Sequence, residues 1–176
     1  MPFTYTLISA NTLTSSTASV TFSAIPNTYT DLILKMSIRD GYVGGGNPNA
    51  FQTSLLTFNG SSATNYSRTF LWGDGSSPAS GTAGSLSSFY LQFSDSDGAV
   101  SNTFSNSEVY IPNYTNSVNK PISFFGAQEN NTTAAYVNSS AHLWSDTSAI
   151  TSITVTNGAG QLVTGSSFFL YGIAKS

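Results

Sequence analysis

The chain has one histidine, His142, in the stretch Asn138-Ser-Ser-Ala-His142-Leu-Trp-Ser-Asp146. Serine, imidazole and carboxylate are the parts of a nucleophilic relay: a hydroxyl to attack, a ring to take its proton, an acid to orient the ring. Ser139, Ser140 and Asp146 are the candidates. The spacing argues against the relay. In a strand, Ser140 and His142 share a face, and neither stands on the strained turn that presents a nucleophile. Serine is also the commonest residue, 31 of 176, so a serine beside a histidine carries little information. The expectation is a polar histidine near a strand end, in a chain that is not an enzyme and has no catalytic residue.

A second candidate is Asp95-Ser96-Asp97-Gly98, which has the opening of a calcium loop. Such a loop needs another oxygen ligand two residues on and a glutamate at its end, where this chain has Asn106. Aspartate and glycine also simply make turns, so no metal and no cofactor is expected. Flat aromatic rings can stack on sugar faces. Tyr42, Tyr66, Trp72, Tyr136 and Trp144 lie near predicted loops, with Trp72, Trp144 and Tyr66 the foremost candidates for glycan contact. The competing reading places the large rings in or beside the core, where most such side chains go. The triplet Gly44, Gly45, Gly46 lacks the spacing, helix and lysine of a phosphate loop. With Tyr42 it reads instead as a mobile loop or one moulded against an interface, and these residues are the interface candidates there.

These residues sit in an unusual composition. Charged residues are 7% of the chain, against roughly 25% in ordinary soluble domains. Its polarity comes from Ser, Thr (22) and Asn (15), which suit strands and turns and cost less to desolvate than charges. Hydrophobic residues at 39% and aromatics at 13% supply a core, which excludes disorder. The net charge is −3 and the basic residues are scattered, which excludes a nucleic-acid face. There is no cysteine for a disulfide or thiolate site. No apolar run approaches the ~20 residues of a membrane span, and the N-terminal residues lack the pattern of a signal peptide.

The elements read as strands throughout. Phe3–Ser9, Ala18–Ile25, Asp31–Arg39, Ala50–Phe58, Tyr66–Trp72, Leu86–Phe93, Glu108–Ile111, Lys120–Ala127, Thr133–Trp144, Ile150–Thr156 and Ser167–Ile173 carry period-two or continuous apolar patterns. Leu32, Leu34, Met36 and Ile38 form one apolar row. In Thr133–Trp144 the apolar row is Ala135, Val137, Ala141 and Leu143. Gly73–Ser85 reads as a flexible loop, and Ser145–Ala149 as a single helical turn or connector. About ten strands at spacings of ~8–15 residues predict one all-β domain over residues 1–176. The expected architecture is a two-sheet antiparallel β-sandwich, with a jelly roll as its form. The closing strand, Ser167–Ile173, is apolar on both faces and so reads as central. Phe169, Tyr171 and Ile173 are expected in the core. Phe168 and Leu170 then face outward, as the first place to look for an interface.

Three motifs carry a family resemblance: Ile-Pro-x-x-Tyr-Thr-Asp-Leu at Ile25–Leu32, Ala-Ile-Thr-Ser-Ile-Thr-Val at Ala149–Val155, and Gly-Ser-Ser-Phe-Phe-Leu-Tyr-Gly-Ile at Gly165–Ile173. They resemble a small domain of structural virion proteins in tailed bacteriophages, marine and cyanophage types included. The resemblance implies a β-sandwich virion component and no catalytic residues. The first strand is expected at about Phe3 and the last ends the chain, giving a bare domain without a shaft. That fits a capsid decoration or cement protein on the head surface. Its expected partners are its own copies, as a trimer, and the major capsid protein or another virion protein, with no nucleic acid or membrane. The rival is a tail-associated or fibre-tip module that recognises a host surface glycan.

Overall fold

The computed structural model describes residues 4–42, 51–129 and 135–174, and every helix or strand within them is a strand. The large sheet takes β1 (Tyr5–Thr12), β12 (Ser167–Ile173), β3 (Asp31–Ile38), β8 (Ser105–Ile111), β9 (Lys120–Glu129), β10 (Ala135–Trp144), β5 (Tyr66–Gly73) and β6 (Pro78–Leu86), in that order. The small sheet takes β2 (Ser19–Phe22), β11 (Ile153–Asn157), β4 (Phe51–Phe58) and β7 (Phe89–Asp95). All neighbours pair antiparallel. The two sheets pack face to face around one core, so the chain is an all-β, two-sheet antiparallel sandwich.

The core follows from strand alternation. Leu32, Leu34, Met36 and Ile38 of β3 point between the sheets, joined by Val109 and Ile111 of β8 and Ile122 and Phe124 of β9. The small sheet answers with Val20, Phe22, Leu56, Phe58, Phe89, Ile153 and Val155. The Leu32–Ile38 row is thus as expected.

The closing strand is central, between β1 and β3, but its faces are the reverse of those expected. Phe168 and Leu170 are fully buried in the core, while Phe169, Tyr171 and Ile173 lie half-buried on the outer face. The ladder with β3 explains this. Phe168 pairs with Met36, Leu170 with Leu34 and Gly172 with Leu32, and paired residues share a face. The third member of the buried row is therefore a glycine. The Tyr29 ring lies directly on it, so that an added Cβ would stand 2.3 Å from Cγ of Tyr29. Phe168 and Leu170 are core residues and are withdrawn as interface candidates.

The supposed flexible loop is mostly strand. Residues Pro78–Leu86 pair with β5, at the edge of the large sheet. Small residues of low strand propensity hid it. It is held by the backbone ladder and by the Phe70 ring, which lies over Gly81. The turn before it is tied by Asp74, whose Oδ1 accepts from the Ser76 amide (2.9 Å), the Ser76 hydroxyl (2.8 Å) and the Ser77 amide (2.7 Å). Gly75, at φ +84°, supplies the left-handed residue this turn requires. Ser145–Ala149 is an irregular connector and holds no helical turn.

The Tyr29–Gly172 contact yields a stability prediction. Gly172→Ala forces the ring away from the strand and should cost about 1–3 kcal/mol, as overpacked cores do. Urea unfolding should show that loss, and the loss should shrink in a Tyr29→Ala background, where the ring is gone.

Candidate functional site

Among the chemistry-bearing residues, Ser140 and His142 do meet. The hydroxyl lies 2.8 Å from Nε2, and both side chains are buried. The His142 ring packs edge-on against Phe89 at 4.7 Å and Phe124 at 6.4 Å, and its Nδ1 has no hydrogen-bond partner among the described residues. His142 is thus an inward-facing residue of the sandwich, which corrects the expected polar strand-end position. Ser139 faces the opposite side of β10, and Asp146 accepts from the Ser148 amide at 2.8 Å beyond the strand's end. The relay is not assembled. Burial and, behind it, the charge of Arg68 push the imidazole down to about 4. That guanidinium lies over the rings of Phe70 at 4.5 Å and Tyr90 at 4.8 Å.

The acidic run is split by burial. Asp95 is inside and accepts from Gln128 Nε2 at 2.9 Å, whereas Asp97 is exposed. Arg39, also buried, fixes the loop that follows by donating to the carbonyls of Ala99 (3.0 Å), Val100 (2.8 Å) and Thr103 (3.1 Å). A cation beside Asp95 would meet this guanidinium, whose charge already acts on that carboxyl. No group of three or more metal-ligating side chains is assembled among the described residues.

Two of the foremost glycan candidates are core residues. Trp144 and Tyr66 are fully buried, stacked on each other with centroids 6.2 Å apart, and Trp144 leans on Phe58 at 5.3 Å. The Tyr66 hydroxyl accepts from the Phe58 amide (3.2 Å) and donates to the Ser61 carbonyl (3.3 Å), so it has no free contact to offer a sugar. Trp72 and Tyr136 form a second ring pair, 6.0 Å apart and only half-buried. Tyr42 is exposed at one end of the sandwich, where its amide donates to Asp40 Oδ1. Gly44, Gly45 and Gly46 lie outside the described residues.

The feature missed from the sequence is the orientation of β10. Trp144 is pinned inward, so by alternation His142, Ser140, Asn138 and Tyr136 must follow it. The strand therefore buries its polar row and turns Val137 and Leu143 outward. Across the ladders, Phe125 of β9 and Leu71 of β5 flank Ser139, one row from Val137. Phe125, Val137 and Leu71 are 52%, 48% and 61% exposed, among the largest apolar exposures in the described chain. A hollow of about 570 Å³ opens between them, bounded by Trp72 and Pro78. The outer face from Ser123 to Ala127, and across β10, β5 and β6, carries no charged side chain. Charge borders this face on two sides: Glu129 is exposed one row beyond Ala127 on β9 itself, and on the next strand Glu108 stands opposite Phe125 and pairs with Lys35 at 2.9 Å. A signal for this existed in the sequence. Counting back by twos from the largest side chain, Trp144, gives the inward row.

Such a face can bury apolar and neutral polar surface against a partner; it offers no charge, metal or nucleophile. No protein-family model, curated protein or solved structure matches the chain.

Because His142 is the only histidine, its ring signals in NMR are unambiguous. They should titrate with a midpoint near 4, and a midpoint at the ordinary value of 6.5 would contradict the buried geometry. The folded pKa is depressed, so the unfolded chain binds the proton more tightly. This histidine's contribution is therefore complete above pH 6.5 and is lost as pH falls towards 4. Relative to His142→Gln, the loss should be about 3 kcal/mol by denaturant titration.

Proposed function

We propose that the chain is an assembly component of a tailed-phage virion, a decoration protein on the capsid surface, rather than a catalyst. The observation that carries this reading is the inverted β10. A strand that buries Asn138, Ser140 and His142 while exposing Val137 and leaving Leu143 only half-buried breaks the usual economy of burial unless its outer face is covered in use. The adjoining uncharged surface suits a persistent contact, since neutral groups are cheaper to desolvate than ions. The phage assignment rests on the resemblance of Ile25–Leu32, Ala149–Val155 and Gly165–Ile173. Ile25, Leu32, Ile153, Val155, Phe168 and Leu170 within them are buried, so these motifs speak for a shared core.

The fold reading within the sandwich is a jelly roll carrying two inserted hairpins. Setting aside β5–β6 and β9–β10 leaves two four-stranded orders, β1-β12-β3-β8 and β2-β11-β4-β7. Numbering those eight strands one to eight along the chain gives 1-8-3-6 and 2-7-4-5, the double Greek-key order of a jelly roll. The two hairpins then join each other through β10 and β5 and prolong one sheet.

The glycan-binding alternative keeps one concrete support, the half-buried Trp72–Tyr136 pair beside the 570 Å³ hollow. Locating the chain on particles decides between the two. Immunogold labelling or low-resolution density should place it over the head, and labelling confined to the tail would overturn the decoration reading. Glycan-array binding that disappears in Trp72→Ala, with the fold intact, would favour the alternative.

A further inference from the structure

The uncharged outer face is matched to itself. Its rows run straight across β9, β10 and β5: Ser123–Ala141–Thr69, then Phe125–Ser139–Leu71, then Ala127–Val137–Gly73. On the far side of the first row, Leu143 pairs with Ser67. The prominent side chains Phe125, Leu71 and Val137 thus crowd one half of the face. The other half carries mostly small residues and holds a hollow of about 430 Å³ between Ser67, Thr69, Thr82 and Leu143 that also reaches Arg68 and His142, while a second of about 330 Å³ runs across the two halves from Ser123 to Leu71. A two-fold axis lying in the face and crossing the strands between the Thr69 and Leu71 rows exchanges these halves. It sets Leu71 over Thr69 of a second copy, Phe125 over its Ser123, and Val137 against its Leu143.

We infer that this face binds a second copy of the same chain, sheet upon sheet, in a two-fold dimer. Charge selects for an identical partner. Each chain carries a net charge of −3, yet the rows from Ser67–Leu143 to Ala127–Val137–Gly73 hold no charged side chain, with Glu129 and the Lys35–Glu108 pair at their border, so two copies meet across these rows without like charges opposed at the centre. The area is also adequate. Four strands about 4.8 Å apart, each about seven residues long at about 3.3 Å per residue, present roughly 450 Å² in projection. Two such faces remove roughly 900 Å², and more as side-chain surface, close to the ~1,000 Å² at which specific contacts begin. That size fits a reversible dimer, and two-fold contacts need a single self-complementary patch. The trimer expected from the sequence would need two different patches on each chain.

The inference names the partner for the assembly reading and does not depend on where in the virion the chain sits. Sedimentation velocity over a micromolar concentration series should show a dimer for the unmodified chain. Leu71→Lys/Val137→Lys should sediment as a monomer with unchanged circular dichroism and melting, since both sites are exposed. Tyr5→Lys/Leu7→Lys, exposed on the far edge of the same sheet, should leave the dimer intact. A wild-type monomer throughout the series, or a dimer that survives in Leu71→Lys/Val137→Lys, would overturn the inference. Either result would leave head labelling free to support the decoration reading, and tail labelling would leave the dimer untouched.

Discussion

Four strands cannot cover eight, and most of the molecule's peculiarities follow from that mismatch. β7 is the last strand of the small sheet, while the large sheet runs on to β5 and β6. The inner face out there is sealed by side chains instead of a sheet. Arg68 lies across Phe70 and Tyr90, Phe70 closes over Gly81, and Trp72 leans on Tyr136. Polar residues can face inward on β10 because the cover above them is partial and aromatic. Once they do, the pleat sends the apolar residues of the same strand to the outside. The exposed Val137 and the buried His142 are two sides of one geometric decision.

Strand existence was legible in the sequence, but strand facing was legible only where one face was polar. In β3 the alternation of Leu32, Leu34, Met36 and Ile38 settles the matter without help. In β12 both faces are apolar, and periodicity cannot choose between them; the choice is made by a ladder to residues far away in sequence and by the ring of Tyr29. In β10 the pattern pointed the wrong way, because the burial of one tryptophan outweighs several alanines and valines. The edge strand β6 was invisible for another reason. An edge strand can be held by backbone hydrogen bonds alone, and a run of serine, alanine and glycine leaves no side-chain trace of it. The candidate site was therefore the least readable part, since it consists of the residues that violate the pattern.

Scarce charge is spent inside. Arg39, Asp40, Asp95 and Lys120 are all buried, a large share of a chain with five basic and eight acidic residues. Arg39 and Lys120 serve as ties for carbonyl groups, Lys120 donating to Asn116 O at 2.7 Å. Burial raises the carboxyls of Asp40 and Asp95 above the ordinary 3.8. Their linkage is opposite in sign to that of His142. Their contribution is complete below pH 3.8 and is lost as pH rises through the raised values. The rest of the chain keeps the whole net charge of −3 but on few groups, three basic and six acidic, so large parts of its surface carry no charge.

The pairing of β1 with β12, Tyr5 facing Ile173, sets a clock on biosynthesis. On the ribosome β1 waits through the synthesis of ten further strands before its partner exists. β2 and β4 wait similarly for β11, which stands between them. The hairpins β5–β6 and β9–β10 have no such delay, because their partners follow at once. Non-local pairing of this kind folds slowly, and strands left unpaired in the meantime are open to wrong partners. The Leu32–Ile38 row thus spends translation with one flank bare, and the arrival of seven residues, Ser167–Ile173, ends its vulnerability.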